Sequence, residues 1–264
     1  MNTRRSIVDR LIQFAKPRLV SSFAPPPTQI APNLWSLDRR LRMPGGLSLP
    51  TRTIVMRLRS EALLVVSPPP VEIGGLDGLD ALGAVAEVLV PNSFHYLNAP
   101  GFLARYPQAT LWVVPGLHQR VSGLPCGQEL SDLTPPSWQG EIEHLVLGPV
   151  RGVSEAALFH RPSATLILTD LAFHMLQFEH RLERIVWRLS GVPAGFGPSR
   201  TARLLLLGDR AAACAFLERV LAWPFERVLV AHGEPLEMNA VNVFRRAFAS
   251  YLTRPGGASQ PPAR

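Results

Sequence analysis

Apolar residues fall along this chain in short runs closed by Pro, Gly or a polar cluster. Runs of that length, rich in Val, Ile and Leu, are the pattern of strands buried on both faces. Leu34–Leu37 is the first. Thr53–Leu58 and Ala62–Ser67 follow, joined by Arg59-Ser60-Glu61 as a hairpin, and Pro68-Pro69-Pro70 closes the second. The pattern next predicts a helix over Gly78–Val85 and a buried strand over Ala86–Val90, stopped at Pro91-Asn92. A short helix over Ala99–Tyr106 and a strand over Thr110–Val114 come after it. The second half repeats the theme. Ile142–Leu147 reads as a strand, and Glu155–Phe159 and Thr165–Thr169 form a hairpin about His160-Arg161-Pro162-Ser163. Helices are expected over Phe173–Leu189 and over Ala211–Leu221, the latter capped by Asp209, with 190–203 as one long Gly- and Pro-rich loop. Arg227–Ala231 is the last strand, ending at His232-Gly233. Two sheets with helices outside fit this order, and so does a single α/β sheet.

The two ends break the pattern. Residues 1–27 read as a basic appendage and linker: Ile7, Leu11 and Phe14 keep helical spacing until Pro17, and Pro25-Pro26-Pro27 closes the segment. Contact with a membrane surface is one use for such a stretch. Residues 255–264 are a tail without core-forming side chains, which leaves 28–254 as the folded domain. The formal charge of +7 and pI near 10.6 invite a nucleic-acid partner, but more than half of the excess lies in the first 18 residues. A nucleic-acid surface clusters its charge on one face, so no such partner is expected. No run approaches the roughly 18 apolar residues of a membrane-spanning helix. Two cysteines, Cys126 and Cys214, cannot build a disulfide framework or a Cys-rich zinc module. With no export signal, they point to the cytoplasm.

Several chemistries are excluded by what is missing. There is no Gly-x-Ser-x-Gly elbow, no Gly-x-x-x-x-Gly-Lys-Ser/Thr loop and no His-Glu-x-x-His. Gly195-Phe196-Gly197 has neither a strand before it nor a third Gly. His174 and His180 do not share a helix face. What remains is His95, Asp170 and His232, each just beyond the end of an apolar strand, where loops converge side chains on a crevice. His and Asp are competent ligands for zinc or iron. The tight turn of the later hairpin sets Glu155 beside Asp170 and puts His160 at the opposite end.

These features occur with Pro91-Asn92-x-x-His95, Tyr106-Pro107-x-Ala109, Pro115-Gly116-Leu117 and Phe159-His160-x-Pro162-Ser163-x-Thr165-Leu166-Ile167-Leu168-Thr169-Asp170. In this order they resemble the metallo-β-lactamase superfamily and, within it, the family of a domain of unknown function catalogued as 4336. The resemblance spans about residues 30–240. It implies an α/β (α+β) fold, a four-layer αβ/βα sandwich. It also implies a dinuclear site opened by His-x-His-x-Asp-His, from which this chain departs: Asn92, Phe94, Tyr96 and Leu97 occupy those places, and His95 is one position out. Arg151 replaces a further His about 19 residues before Asp170. Only Asp170 and His232 keep register. The reading is therefore a reduced site, one zinc, iron or manganese ion held by His95, Asp170 and His232, with Glu155 as a further candidate ligand. Glu155 or Asp170 would be the general base that activates water, and Arg151, Tyr96 and Ser67 would line the crevice for a small-molecule substrate or anionic ligand. Such a site suits hydrolysis of an ester, lactone or thioester. The alternative is a silent, metal-free binding module in which Arg151 pairs with the carboxylates and Asp170 caps the helix near Phe173.

Overall fold

The computed structural model describes residues 18–19, 26–42, 47–71, 76–150 and 152–253. Arg151, the tail and most of the N-terminal appendage lie outside the described residues.

The first sheet has eight strands. They are β1 (Arg18–Leu19), β2 (Thr28–Ala31), β3 (Leu34–Arg42), β4 (Ser48–Arg57), β5 (Leu63–Val66), β6 (Val85–Val90), β7 (Thr110–Val113) and β8 (Gln128–Glu129). Their order is β1-β3-β4-β5-β6-β7-β8, with β2 beside β3. The second sheet takes β9 (Ile142–Val150), β10 (Val153–His160) and β11 (Thr165–Leu168). After a small pair, β12 (Ala172–Phe173) and β13 (Gly197–Pro198), the chain returns as β14 (Arg227–Val230) to complete the order β14-β11-β10-β9. β5, β6 and β7 run parallel, as do β11 and β14, so the C-terminal ends of β5, β6, β11 and β14 carry the loops that matter below.

A two-residue period explains why the second sheet is apolar throughout. Ala156, Leu158, Ile167 and Leu229 turn one way, into a core shared with Val55, Val65 and Val88 of the first sheet. Ala157, Phe159, Leu166, Leu168, Val228 and Val230 turn the other way, onto helices. Each fully buried Leu or Phe contributes roughly 1.5–3 kcal/mol. Among the described residues, seven helices of four residues or more accompany the sheets: α1 (Asp77–Asp80), α2 (Ala99–Arg105), α3 (Leu117–Arg120), α4 (Arg181–Leu189), α5 (Arg200–Gly208), α6 (Arg210–Leu221) and α7 (Ala240–Ala247). Leu79, Phe102 and Leu117 from α1, α2 and α3 join the first core; Leu206, Leu217 and Phe244 from α5, α6 and α7 join the second. The architecture is the expected sandwich of two sheets between helices.

Several elements differ from expectation. The helix over Gly78–Val85 is one turn, and Val85 already belongs to β6. The helix over Phe173–Leu189 begins only at Arg181, because the backbone before it is claimed by tertiary bonds. His174 N–H donates to the His232 carbonyl, and the Leu176 and Gln177 N–H groups donate to the Glu234 carboxylate. Asp170 therefore caps no helix. The expected loop 190–203 holds β13 and the start of α5, whose cap is Ser199 Oγ accepting from Ala202 N–H at 3.0 Å. Asp209 caps α6 as expected. Helix α7 was not foreseen. β3 and β4 run past β5 as a two-stranded arm, on which Arg52 pairs with Asp38 across the strands.

Candidate metal centre

The three groups expected at strand ends meet. His95 follows β6, Asp170 follows β11 and His232 follows β14, and one ligand atom from each lies within 4.8 Å of the other two. His232 Nε2 is 3.0 Å from Asp170 Oδ1, His95 Nε2 is 3.5 Å from the same oxygen, and the two Nε2 atoms are 3.3 Å apart. A tetrahedral ion with bonds of about 2.0–2.1 Å sets its ligand atoms roughly 3.3–3.4 Å apart. The residues present fit one such ion. The His95 and Asp170 side chains are 14% and 15% exposed, which leaves the cluster open on one side.

Each of the three side chains is oriented from behind. His232 Nδ1 stands 2.8 Å from the Pro50 carbonyl, which can only accept, so Nδ1 carries the proton and Nε2 faces the cluster. His95 Nδ1 is 2.7 Å from Ser67 Oγ, at the end of β5, where φ of +57° puts Ser67 in the left-handed region. Two imidazole Nε2 atoms and a carboxylate oxygen aimed at one point require a proton or a metal between them. Burial alone would raise the Asp170 carboxyl, but the two imidazoles hold it well below the usual carboxylate range.

His95 reaches the cluster, despite its place one position out, because Asn92 folds the segment after β6. Asn92 Oδ1 accepts from the N–H groups of Phe94 and His95, both at 2.8 Å. Its Nδ2 donates to Thr169 Oγ1 at 2.9 Å and to Asp170 Oδ2 at 3.0 Å. One buried amide thus fixes two ligand loops and leaves only Oδ1 of Asp170 directed at the histidines. Arg52, 8% exposed, grips the third loop: Nη1 donates to the Val230 and Gly233 carbonyls on either side of His232, while Nε pairs with Asp38. At Gly233 φ is +110°, and a Cβ would lie 2.1 Å from the His174 carbonyl oxygen.

The hairpin register does set Glu155 against the Asp170 loop, and its carboxyl is buried there. Its Oε1 accepts from Thr169 N–H, Thr169 Oγ1 and Leu171 N–H. Burial, and next the charge of Asp170, push it up to about 8. Glu155 is therefore committed to holding the loop and is not one of the three clustered ligands. Tyr96 packs against the first core. His160 lies at the far end of the hairpin, bonded to Ser163, as expected. Asn92, Arg52, Thr169 and Pro50 were not singled out from the sequence as supports. Arg52 had one signal, a cation at the edge of an apolar strand, and Asn92 had another, its place where a ligand was expected.

This seam joins the sheets. Asn92 bridges Glu155, Ser93 N–H donates to the Ser154 carbonyl, and Ala156 N–H donates to the Pro91 carbonyl, tying the end of β6 to β10.

The model of a family described as a domain of unknown function, DUF4336, matches residues 32–193. Among solved structures, the metal-soaked Flv1 flavodiiron core from Synechocystis sp. PCC6803 superposes with a TM-score of 0.61 at 12% identity, over 87% of this chain and 60% of that one. This chain thus spans about 60% of that core's length. A putative diflavin flavoprotein A 5 fragment from Nostoc sp. PCC 7120 gives 0.60 at 13% identity, over 87% and 95%. The metallo-β-lactamase FIM-1 from Pseudomonas aeruginosa, in its mono-zinc form, gives 0.56 at 10%, over 87% and 98%. At such identities the likeness is one of fold, and the fold is that of the metallo-β-lactamases. No curated protein matches the chain.

Proposed function

Since the chain belongs to the DUF4336 family and has the metallo-β-lactamase fold, we propose that it is a hydrolase of ester, lactone or thioester bonds working with a single metal ion. The observation that carries this reading is the convergence of His95 Nε2, His232 Nε2 and Asp170 Oδ1 into one donor set. A neighbour of the same fold in a mono-zinc form supports a one-ion site. A zinc, iron or manganese ion held by these residues would polarise a carbonyl oxygen and acidify water. The chain's own residues do the rest. Pro50 and Ser67 fix the imidazole rings, Asn92 holds Asp170 so that one oxygen faces the crevice, and Glu155 anchors the loop behind it. Asp170 is the carboxylate placed to take the proton of the attacking water. The domain spans 28–254, with 1–27 as a basic appendage, in a cytoplasmic protein acting on a small molecule. Among the described residues no helix is long and apolar enough to cross a membrane.

The test is metal stoichiometry with turnover. Metal-depleted full chain offered zinc, iron or manganese should take up about one equivalent. It should then hydrolyse p-nitrophenyl acetate or S-phenyl thioacetate in a chelator-sensitive way. His232→Ala should lose the ion, and Asp170→Asn should lower the rate by roughly 100-fold or more. Uptake below about a tenth of an equivalent would sink the reading. One observation favours a metal-free binding module instead: Asp170 already contacts both imidazoles at ion-pair distance, which a proton satisfies. That module would show the same Tm with metal or with chelator.

A further inference from the structure

Helix α4 is turned inside out for a surface helix. Its one acidic side chain faces inward: the buried Glu183 carboxylate accepts from Ser48 N–H at 2.6 Å and from Glu179 N–H at 2.8 Å. Trp187 Nε1 donates to the Ser48 carbonyl at 3.1 Å. These bonds fix the rotation of the helix against the β3–β4 arm. At 3.6 residues per turn, Leu182, Ile185 and Leu189 then fall together on the outward side, where they are 69%, 52% and 82% exposed. A surface helix normally buries such a stripe. Beside it runs a second stripe, Arg181, Arg184 and Arg188. Arg188 is held by the Ala194 carbonyl, while Arg181 and Arg184 are exposed and meet no carboxylate among the described residues.

The same chemistry recurs at this corner of the fold. β1 pairs Arg18 with Arg42, and Arg42 is paired in turn with Ser48, the residue that holds Glu183. Two strand spacings, about 10 Å, thus separate Arg18 from the anchor of α4. Residues 1–17, which lie outside the described residues, join the chain at this point. Their sequence carries Arg4, Arg5, Arg10 and Lys16 against Asp9 alone, with Ile7, Leu11 and Phe14 at helical spacing. Charge selects the occupant. Segment 1–17 laid on α4, or α4 against its copy in a second chain, would set cations against cations. Three exposed side chains also fall far short of the roughly 800 Å² per partner that a stable interface buries. An anionic bilayer meets both demands, with headgroup phosphates for the guanidinium groups and the acyl boundary for Leu and Ile.

We propose that the outward face of α4, with segment 1–17 beside it, docks the protein on a membrane surface rich in anionic lipid. The helix lies in the plane of the interface, and Leu182, Ile185 and Leu189 enter the headgroup boundary. This does not depend on the hydrolase reading. The test is flotation of the full chain with vesicles of phosphatidylcholine, alone or with about 30% phosphatidylglycerol. The parent should bind the anionic vesicles at least about 10-fold more tightly than the neutral ones, and should loosen several-fold as salt rises from about 0.05 to 0.5 M. Leu182→Gln, Ile185→Gln and Leu189→Gln together should weaken that binding by about 10-fold or more, and so should Arg181→Gln with Arg184→Gln. Both variants should keep the parent's Tm, since the replaced side chains are exposed; the arginine pair keeps the proposal falsifiable should the triple variant misfold. A parent that ignores anionic vesicles, or α4 variants that bind them as the parent does, overturns the proposal. So does loss of binding in Arg4→Gln, Arg5→Gln and Arg10→Gln with none in the α4 variants, which would give the contact to the first segment alone. A parent that is dimeric by light scattering, and monomeric in the triple variant, would give the face to a second copy and overturn the proposal as well.

Discussion

Asn92 does at one position what a histidine there could not. An amide offers an acceptor and two donors, and the fold uses both kinds: Oδ1 takes two backbone N–H groups while Nδ2 reaches Thr169 and Asp170. Asn92→Ala would leave those N–H groups and a carboxylate oxygen short of partners in a buried place. The expected result is a loss of about 2–4 kcal/mol in a denaturant titration and a 10- to 100-fold weaker hold on metal in a competition assay. Parent-like values in both would refute the clamp. Asp170 and His232 were legible from sequence because a polar residue after an apolar strand is a local signal. Asn92 was visible only as a departure from a pattern, since its work depends on partners 77 and 78 residues away. Glu155 was correctly set beside Asp170 by hairpin register, yet register does not reveal that three donors would occupy its oxygen.

At the scale of elements, the turn after β14 is the tightest part of the site. His232 is held between Arg52 below and the His174 backbone alongside, with His174 N–H donating to its carbonyl. Gly233→Ala puts a carbon against the His174 carbonyl and forces a side chain into a backbone region it rarely adopts. A loss of about 3 kcal/mol or more is expected by thermal melting, together with impaired metal uptake. An alanine variant with parent stability would refute this close approach. The same contacts explain the misplaced helix. Residues 173–180 have helix-compatible spacing, but their N–H groups bond to His232 and Glu234, partners that periodicity does not report. Strands fared better, because a short apolar run between breakers has few other uses. Helix α5 was hidden because its Leu204 and Leu207 are exposed, so its pattern is blurred.

For the whole molecule, the end remote from the site sets an acid limit. His160, 1% exposed at the hairpin turn, is pushed down to about 4 by burial. Its unfolded value is near 6.5, so between those values the unfolded chain binds the proton and the folded one does not. The contribution of this group is therefore complete above pH 6.5 and is lost as pH drops toward 4, by about 3 kcal/mol. His160→Gln should flatten that part of a denaturation-versus-pH curve; an unchanged slope would contradict it. The two-core sandwich was largely readable, since alternation along β10, β11 and β14 already assigns two buried faces. The seam between the sheets was not, because it is made of backbone bonds between distant strand ends. That seam has a mechanical consequence. His95 belongs to one sheet, Asp170 and His232 to the other, so the donor triangle spans a joint between two stiff plates. Sliding one plate against the other would pull the triangle apart, and a cation seated in it would act as a rivet that resists the slide.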